Sequence, residues 1–181
     1  MTQHPRLLSP VTLRGKTLRN RIVFGAHTNN MAEGGLPLAR QGAYWLERAL
    51  GGAGMIVTEP VPAHRTGVLT RGNLLHSSDA IIKPFQTITD EVKAAGAVTC
   101  HQLYHIGAHG DSDLSFAPHW SPSGGPSYHD SDGSHRMTES EIEELLDAHA
   151  IAARRCKDAG FQGVEVWFAM LSHIMSLSRS R

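Results

Sequence analysis

Apolar positions along this chain recur with two different periods. Val98, Cys100 and Gln102 alternate with Thr99, His101 and Leu103, the period of a β-strand. That segment closes in a glycine-punctuated loop carrying His105, Gly107, His109 and Gly110. Shorter strands are expected at Arg21 to Gly25 (RIVFG), Gly54 to Glu59 (GMIVTE) and Phe161 to Trp167 (FQGVEVW). Helical spacing appears between them. Pro37 to Leu50 places Leu38, Tyr44, Trp45, Leu46 and Leu50 for an amphipathic helix that Gly51 and Gly52 stop. Ser78-Asp79 caps a second helix through Ala95, with Ile82, Phe85, Ile88 and Val92 on one side. Thr138 and Glu141 form a capping box for a third, running to Asp158, with Ile142, Leu145, Leu146, Ala152 and Ala153 inward and His149 on that face. Leu7 to Asn20 alternates around Arg14-Gly15-Lys16 as a small hairpin does.

Four strands therefore alternate with three helices, which predicts an α/β fold with a parallel sheet and right-handed crossovers. Periodicity does not choose between an open doubly wound sheet and a (β/α)8 barrel. No GxGxxG follows the first strand and no GxxxxGK[ST] occurs, so phosphate-cradling nucleotide folds lose weight.

Composition narrows the partners. In 181 residues, 17 Lys and Arg balance 17 Asp and Glu, giving no reason to expect nucleic acid or an anionic membrane. Hydrophobic residues make up 40%, enough for one core, and no apolar run is long enough to span a bilayer. The opening MTQHPRLLSPV has no charged-then-apolar leader pattern, so the expected location is cytoplasmic. Cys100 and Cys156 are expected as buried free thiols.

The polar loop after Val98–Leu103 reads as a cofactor and substrate rim. Its histidines 101, 105 and 109 have the spacing of a metal-binding helix face. Gly107 and Gly110 break a helix there, and no carboxylate or cysteine completes the set, so no metal site is expected. Asp111 to Arg136 is a long irregular stretch whose His119, His129 and His135 carry no assigned role. Glu139, Glu141, Glu143 and Glu144 read as a solvated helix face.

Seven segments together resemble one family. LLSPVTLRGKTLRNRIV, GGLP, GGAGMIVTE, HQLYHIG, SPSGGPS, RMTESEIEELL and AGFQGVEV stand in the order and spacing of the old yellow enzyme group, the NADH:flavin oxidoreductases. The nearer likeness is to its 2,4-dienoyl-CoA reductase and trimethylamine dehydrogenase branch. The resemblance implies the N-terminal half of a TIM (β/α)8 barrel, strands one to four with an N-terminal hairpin, family-like over about residues 7–167. It implies non-covalent FMN as cofactor and NADH or NADPH as reductant, with a small-molecule substrate: an enone, an enoyl thioester or an amine. Family positions carry over to Gly25, Ala26, His27 and Thr28 along the flavin ring, to Glu59 and Pro60 at its pyrimidine edge, and to Gln102 as the ring-binding amide. His105 and His27 become candidate substrate contacts.

Four positions depart from the family. Thr28 stands where the trimethylamine dehydrogenase branch tethers flavin through cysteine. Ala108 stands where an arginine often follows the HxG turn. Trp167 and Met170 replace the substrate-binding His or Tyr and the later His, and residues 168–181 no longer follow the family. A barrel needs about 200–250 residues, so half of it, together with any iron–sulfur site of that branch, is expected outside this chain. The resulting expectations are an oxidoreductase half that is active only as part of a longer chain, or with a complementary chain or a homo-oligomer, and binds FMN weakly or not at all alone, or else an inactive truncated product or half-barrel interaction module.

Overall fold

The computed structural model describes residues 4–70, 72–110, 118–127 and 133–167. The tail with Met170, and parts of the 111–136 loop including His129, lie outside the described residues.

The expected hairpin is β1 (Val11–Leu13) paired antiparallel with β2 (Lys16–Leu18). Only Arg14 and Gly15 connect them, and both hold positive φ, 45° and 78°. That pair is what a two-residue type I′ turn demands. There follow β3 (Val23–Phe24), α1 (Ala39–Leu50), β4 (Met55–Pro62), α2 (Ile82–Ala94) and β5 (Val98–Tyr104). A small parallel pair, β6 (Trp120–Ser121) and β7 (His135–Arg136), precedes α3 (Glu139–Asp158) and β8 (Gly163–Trp167). Thr138 caps α3 as a full capping box, its hydroxyl accepting from the Glu141 amide. Arg19 donates to the carbonyls of Ala95 (2.9 Å), Ala53 (2.8 Å) and Ala49. One cation thus satisfies the bare C-terminal ends of α2 and α1, where positive charge is favoured.

The main sheet is parallel, in the order β3-β4-β5-β8. Every strand lies beside its predecessor, with a helix in each crossover. A doubly wound sheet reverses direction at a switch point; this one does not. The fold is therefore the first four strands of a TIM-type barrel, with the N-terminal hairpin beneath.

Register assigns each side chain to a face. Ile56 beside Thr99, Thr58 beside His101 and Val61 beside Leu103 face the helices. There they meet Trp45, Ala49, Phe85, Ile88, Val92, Ala152, Cys156 and Phe161 in one core. The opposite row reads Val57, Cys100, Gly163; then Pro60, Gln102, Glu165; then Pro62, Tyr104, Trp167. Between Thr58 and Pro60 the register slips, and Glu59 is the extra residue.

Two inward faces differ from expectation. Helix α1 buries Gln41, Gly42, Trp45 and Ala49, whereas Leu50 is 65% exposed. Gly42 is where α1 meets α2: a methyl group there would sit 3.0 Å from Ile88 Cγ1. In α3 the buried stripe is Leu145, Ala152 and Cys156, and Leu146 is 58% exposed. Trp45, Leu145 and Ala152 face inward as expected, while Gln41, Gly42, Ala49 and Cys156, small or amide residues that apolar periodicity does not weigh, complete the contacts. Strand β4 also runs to Pro62, past the expected end at Glu59.

One loop contact yields a stability prediction. A Cβ on Gly72 would meet the Asn30 backbone at 2.5–2.6 Å, while a Cβ on Gly25 meets nothing within 4 Å. Gly72→Ala is expected to cost about 1–3 kcal/mol, read as a lower urea midpoint, with Gly25→Ala close to wild type. Equal midpoints would show that these loops do not pack as described.

Candidate functional site

In a parallel sheet all strand C-termini open at one end, where the connecting loops gather. Four chain segments meet there: residues 25–30 after β3, Glu59 and Pro60 in β4, Gln102 to His105 in β5 and beyond, and Glu165 to Trp167 in β8.

Glu59, swung out of the ladder by the bulge, is fully buried beneath the β3–α1 loop. Its Oε2 accepts from the Asn29 amide (3.2 Å), and Gln41 Nε2 donates to its Oε1. Gln41 Nε2 also reaches Asn29 Oδ1 (3.2 Å), while Gln41 Oε1 accepts from the Leu38 amide (3.0 Å). Removal from water outweighs these donors and pushes the Glu59 carboxyl up to about 7. Asn29 Nδ2 is buried with no hydrogen-bond partner.

His27 is exposed, with Nε2 2.8 Å from the Tyr44 hydroxyl and its ring edge-on to Phe24 and Tyr44 (5.4 and 5.7 Å). Arg48 lies over the Tyr44 ring at 3.4 Å, so α1 braces the histidine. Gly25 beside it is exposed, and Ala26 and Thr28 are half-buried.

Gln102 shares its row with Pro60 and Glu165, and its Nε2 donates to Glu165 Oε1. One step toward the strand ends, the Tyr104 and Trp167 rings stand 6.0 Å apart. The Tyr104 hydroxyl donates to Asn73 Oδ1 (3.0 Å). A cavity of about 230 Å³ opens nearby, lined by Gly34, Gly35, Val68, Thr70, Asn73 and Leu75 among others.

His105 lies inside the protein, 1% exposed. The Gly107 amide donates to its Nδ1 (3.1 Å), which leaves Nε2 to donate to Thr66 Oγ1 (3.0 Å). Thr66 is bonded in turn to His64 Nδ1 (2.7 Å), and His64 Nε2 to Glu144 (3.2 Å). His119 Nδ1 donates to the Thr66 carbonyl (2.7 Å). Burial pushes the His105 pKa down to about 3, so the imidazole is neutral. Glu144, expected as mere solvated surface, ends this chain; Glu141 likewise pairs with His135 at 2.9 Å.

The structure thus gathers Gly25 to Thr28 with Glu59, and sets Gln102 on a common row with Pro60. Among the described residues His101, His105 and His109 do not converge as a metal face: His101 turns to the helices and His105 to Thr66. Asn29, Gln41, Thr66 and Glu165 were not singled out from the sequence. A bulge and a strand register bring them in, and neither leaves a pattern in the chain. No helix among the described residues is long and apolar enough to cross a membrane.

Comparison with known proteins relates this chain to flavin oxidoreductases. A family model described as the NADH:flavin oxidoreductase / NADH oxidase family matches residues 6–170. A "Probable N-methylproline demethylase" of Rhizobium meliloti is 36% identical over 166 residues, covering 88% of this chain and 24% of that protein. The structure of an old yellow enzyme homologue from Zymomonas mobilis superposes with TM-score 0.81 at 29% identity, covering 90% of this chain and 48% of the other. A 2-naphthoyl-CoA reductase bound to 2-naphthoyl-CoA gives TM-score 0.85 at 27% identity, with 91% and 27% covered. The chain spans about a quarter to a half of the lengths it matches.

Proposed function

The chain belongs to the NADH:flavin oxidoreductase / NADH oxidase family, and on that footing we propose that its strand ends form the flavin-facing part of an FMN-dependent oxidoreductase. Reduced nicotinamide is the electron source, and the substrate is a small enone, enoyl thioester or amine. The observation that carries this reading is the polar set at the strand ends: the Gln102 amide on the inner row, and the buried Asn29–Glu59–Gln41 group under the exposed Gly25 edge. An amide offers donor and acceptor together, and Asn29 Nδ2 is a buried donor without a protein acceptor. That donor set suits the carbonyl and imide edge of a flavin, so the residues fit the group.

When bound, FMN supplies hydride chemistry at its ring. The chain's own residues do the holding. Gln102 orients the ring edge. Glu59 fixes the Asn29 amide and with it the loop from Gly25 to Asn30. Thr28 offers no thiol, so the flavin is held without a covalent bond. Trp167, across from Tyr104, gives the substrate side an aromatic wall where the resemblance to the family implies a His or Tyr. His105 is locked by Thr66 and Gly107, so it shapes the loop from within and leaves His27 as the exposed imidazole for substrate.

The outer row of β8 supports a partner. Val164 and Val166, level with His101 and Leu103 on the helix side of an outer strand of the described sheet, are 38% and 40% exposed, which favours assembly with a further helix and strand from a complementary chain or a second copy.

A flavin-fluorescence titration of the purified chain tests the site. Gln102→Ala is expected to weaken FMN binding about tenfold, the worth of one well-placed hydrogen bond. Identical curves for the variant and the wild type would remove Gln102 from the flavin edge.

A further inference from the structure

Between the sheet and the helices, away from the strand ends, lies a second group of chemistry-bearing side chains. His76 comes from the loop before α2, His101 from β5 and Cys156 from α3. All three are buried, at 3%, 0% and 0% exposure. One ligand atom of each lies within 4.8 Å of the others. Cys156 Sγ is 3.7 Å from His76 Nε2, and the two imidazoles meet edge to face with centroids 5.1 Å apart. His101 Nδ1 is paired with Thr58 Oγ1, which leaves Nε2 buried with no hydrogen-bond partner. A bare ring nitrogen in an apolar core is costly unless something completes it.

We propose that His76, His101 and Cys156 form a three-coordinate site for a soft monovalent cation, with Cu⁺ as its ion. One thiolate and two imidazoles are donors that soft metals select. A trigonal arrangement with bonds of about 2.0 Å to nitrogen and 2.3 Å to sulfur separates those two atoms by about 3.7 Å, the separation already present between His76 and Cys156. The His101 nitrogen, within 4.8 Å of the other two donors, then has at most about 1.3 Å to close. Thr58 behind His101 is the kind of outer partner that orients a ligating imidazole.

Charge chooses the valence. A thiolate with Cu⁺ is neutral, and the walls are apolar: Phe85 and Phe161 lie 5.0 and 4.7 Å from the His101 ring. Arg155 already brings a cation to this spot, donating to the His76 carbonyl and pairing with Asp79 at 2.7 Å. A divalent ion would add uncompensated positive charge beside it. Structural Zn²⁺ also takes four ligands, and the described residues offer three. Binding replaces the thiol proton: Cys156–SH and Cu⁺ become Cys156–S–Cu, one proton leaves to solvent, and no electron is transferred.

The test is an anaerobic titration of the full chain with Cu⁺ against a chromophoric Cu⁺ chelator, with Zn²⁺ run in parallel. The expected result is one Cu⁺ withheld per chain, a higher thermal midpoint, and at least tenfold weaker retention in Cys156→Ala and His76→Asn, with Cys100→Ala unchanged. X-ray absorption of the wild-type copper complex needs no variant to fold, and is expected to show one sulfur and two nitrogen ligands. No withheld copper, retention that ignores Cys156→Ala, a copper shell without sulfur, or Zn²⁺ held as tightly as Cu⁺ would each overturn the proposal.

Discussion

Phe85→Ala is expected to lower unfolding stability by about 3–5 kcal/mol, a large part of what a single domain possesses. Phe85 is fully buried on α2. Its ring stacks on Trp45 of α1 at 6.3 Å and meets His101 and Phe161 edge-on at 5.0 and 5.1 Å. It is therefore the side chain through which two helices and the sheet touch. Removing the ring loses its transfer from water and leaves a cavity that rigid neighbours on several elements cannot collapse to fill. Each aromatic pair is worth about 0.5–1.5 kcal/mol beyond area. Urea unfolding of the variant measures the loss, with Leu50→Ala, at a 65% exposed position, expected within about 0.5 kcal/mol of wild type. A loss at Phe85 no larger than at Leu50 would mean that the core is centred elsewhere.

Glu59→Gln is expected to remove a pH dependence of stability. The folded pKa of about 7 lies above the ordinary 4.5, because burial disfavours the charged form. Above pH 7 the carboxylate is ionised in both folded and unfolded chains, and the folded chain bears the full cost of burying that charge. Between pH 7 and 4.5 the folded chain holds a proton that the unfolded chain lacks, so the cost fades. Below 4.5 both are protonated and none remains. Stability from this group thus falls as pH rises from 4.5 through 7, by up to about 3 kcal/mol. Urea midpoints of wild type and variant at pH 5, 6, 7 and 8 isolate the effect, because the other titrating groups cancel in the difference. Wild type should gain on Glu59→Gln as the pH falls. A constant difference would show that Glu59 titrates as an ordinary surface carboxylate. The same series bears on the site, since the Asn29 amide and the loop from Gly25 to Asn30 rest on this carboxylate.

Much of the fold could be read along the chain because its signals are local. The Arg14-Gly15 turn, the Thr138–Glu141 capping box and the strand alternation at Val98 each depend on residues a few positions apart, and all three stand in the structure. The collinear segments from Leu7 to Trp167 also carried the family, which the match over residues 6–170 shows.

Contacts between distant segments were decided only in three dimensions. Periodicity left barrel and doubly wound sheet equal, because crossover direction is not written in any strand; the order β3-β4-β5-β8 settled it. Leu146 and Leu50 looked inward because they are apolar, yet Gly42 and Cys156 face the core in their stead, where close packing admits small groups. Histidine spacing pointed at 101, 105 and 109 together. Strand alternation instead sends His101 to the helices, where His76 and Cys156 meet it from 25 and 55 residues away. Gln102 next to it faces Glu165 on the opposite side of the sheet. The sequence by itself determined which elements form and which family they compose. Tertiary register, through a single bulge at Glu59 and the two-residue alternation of β5, decided which side chains share a site.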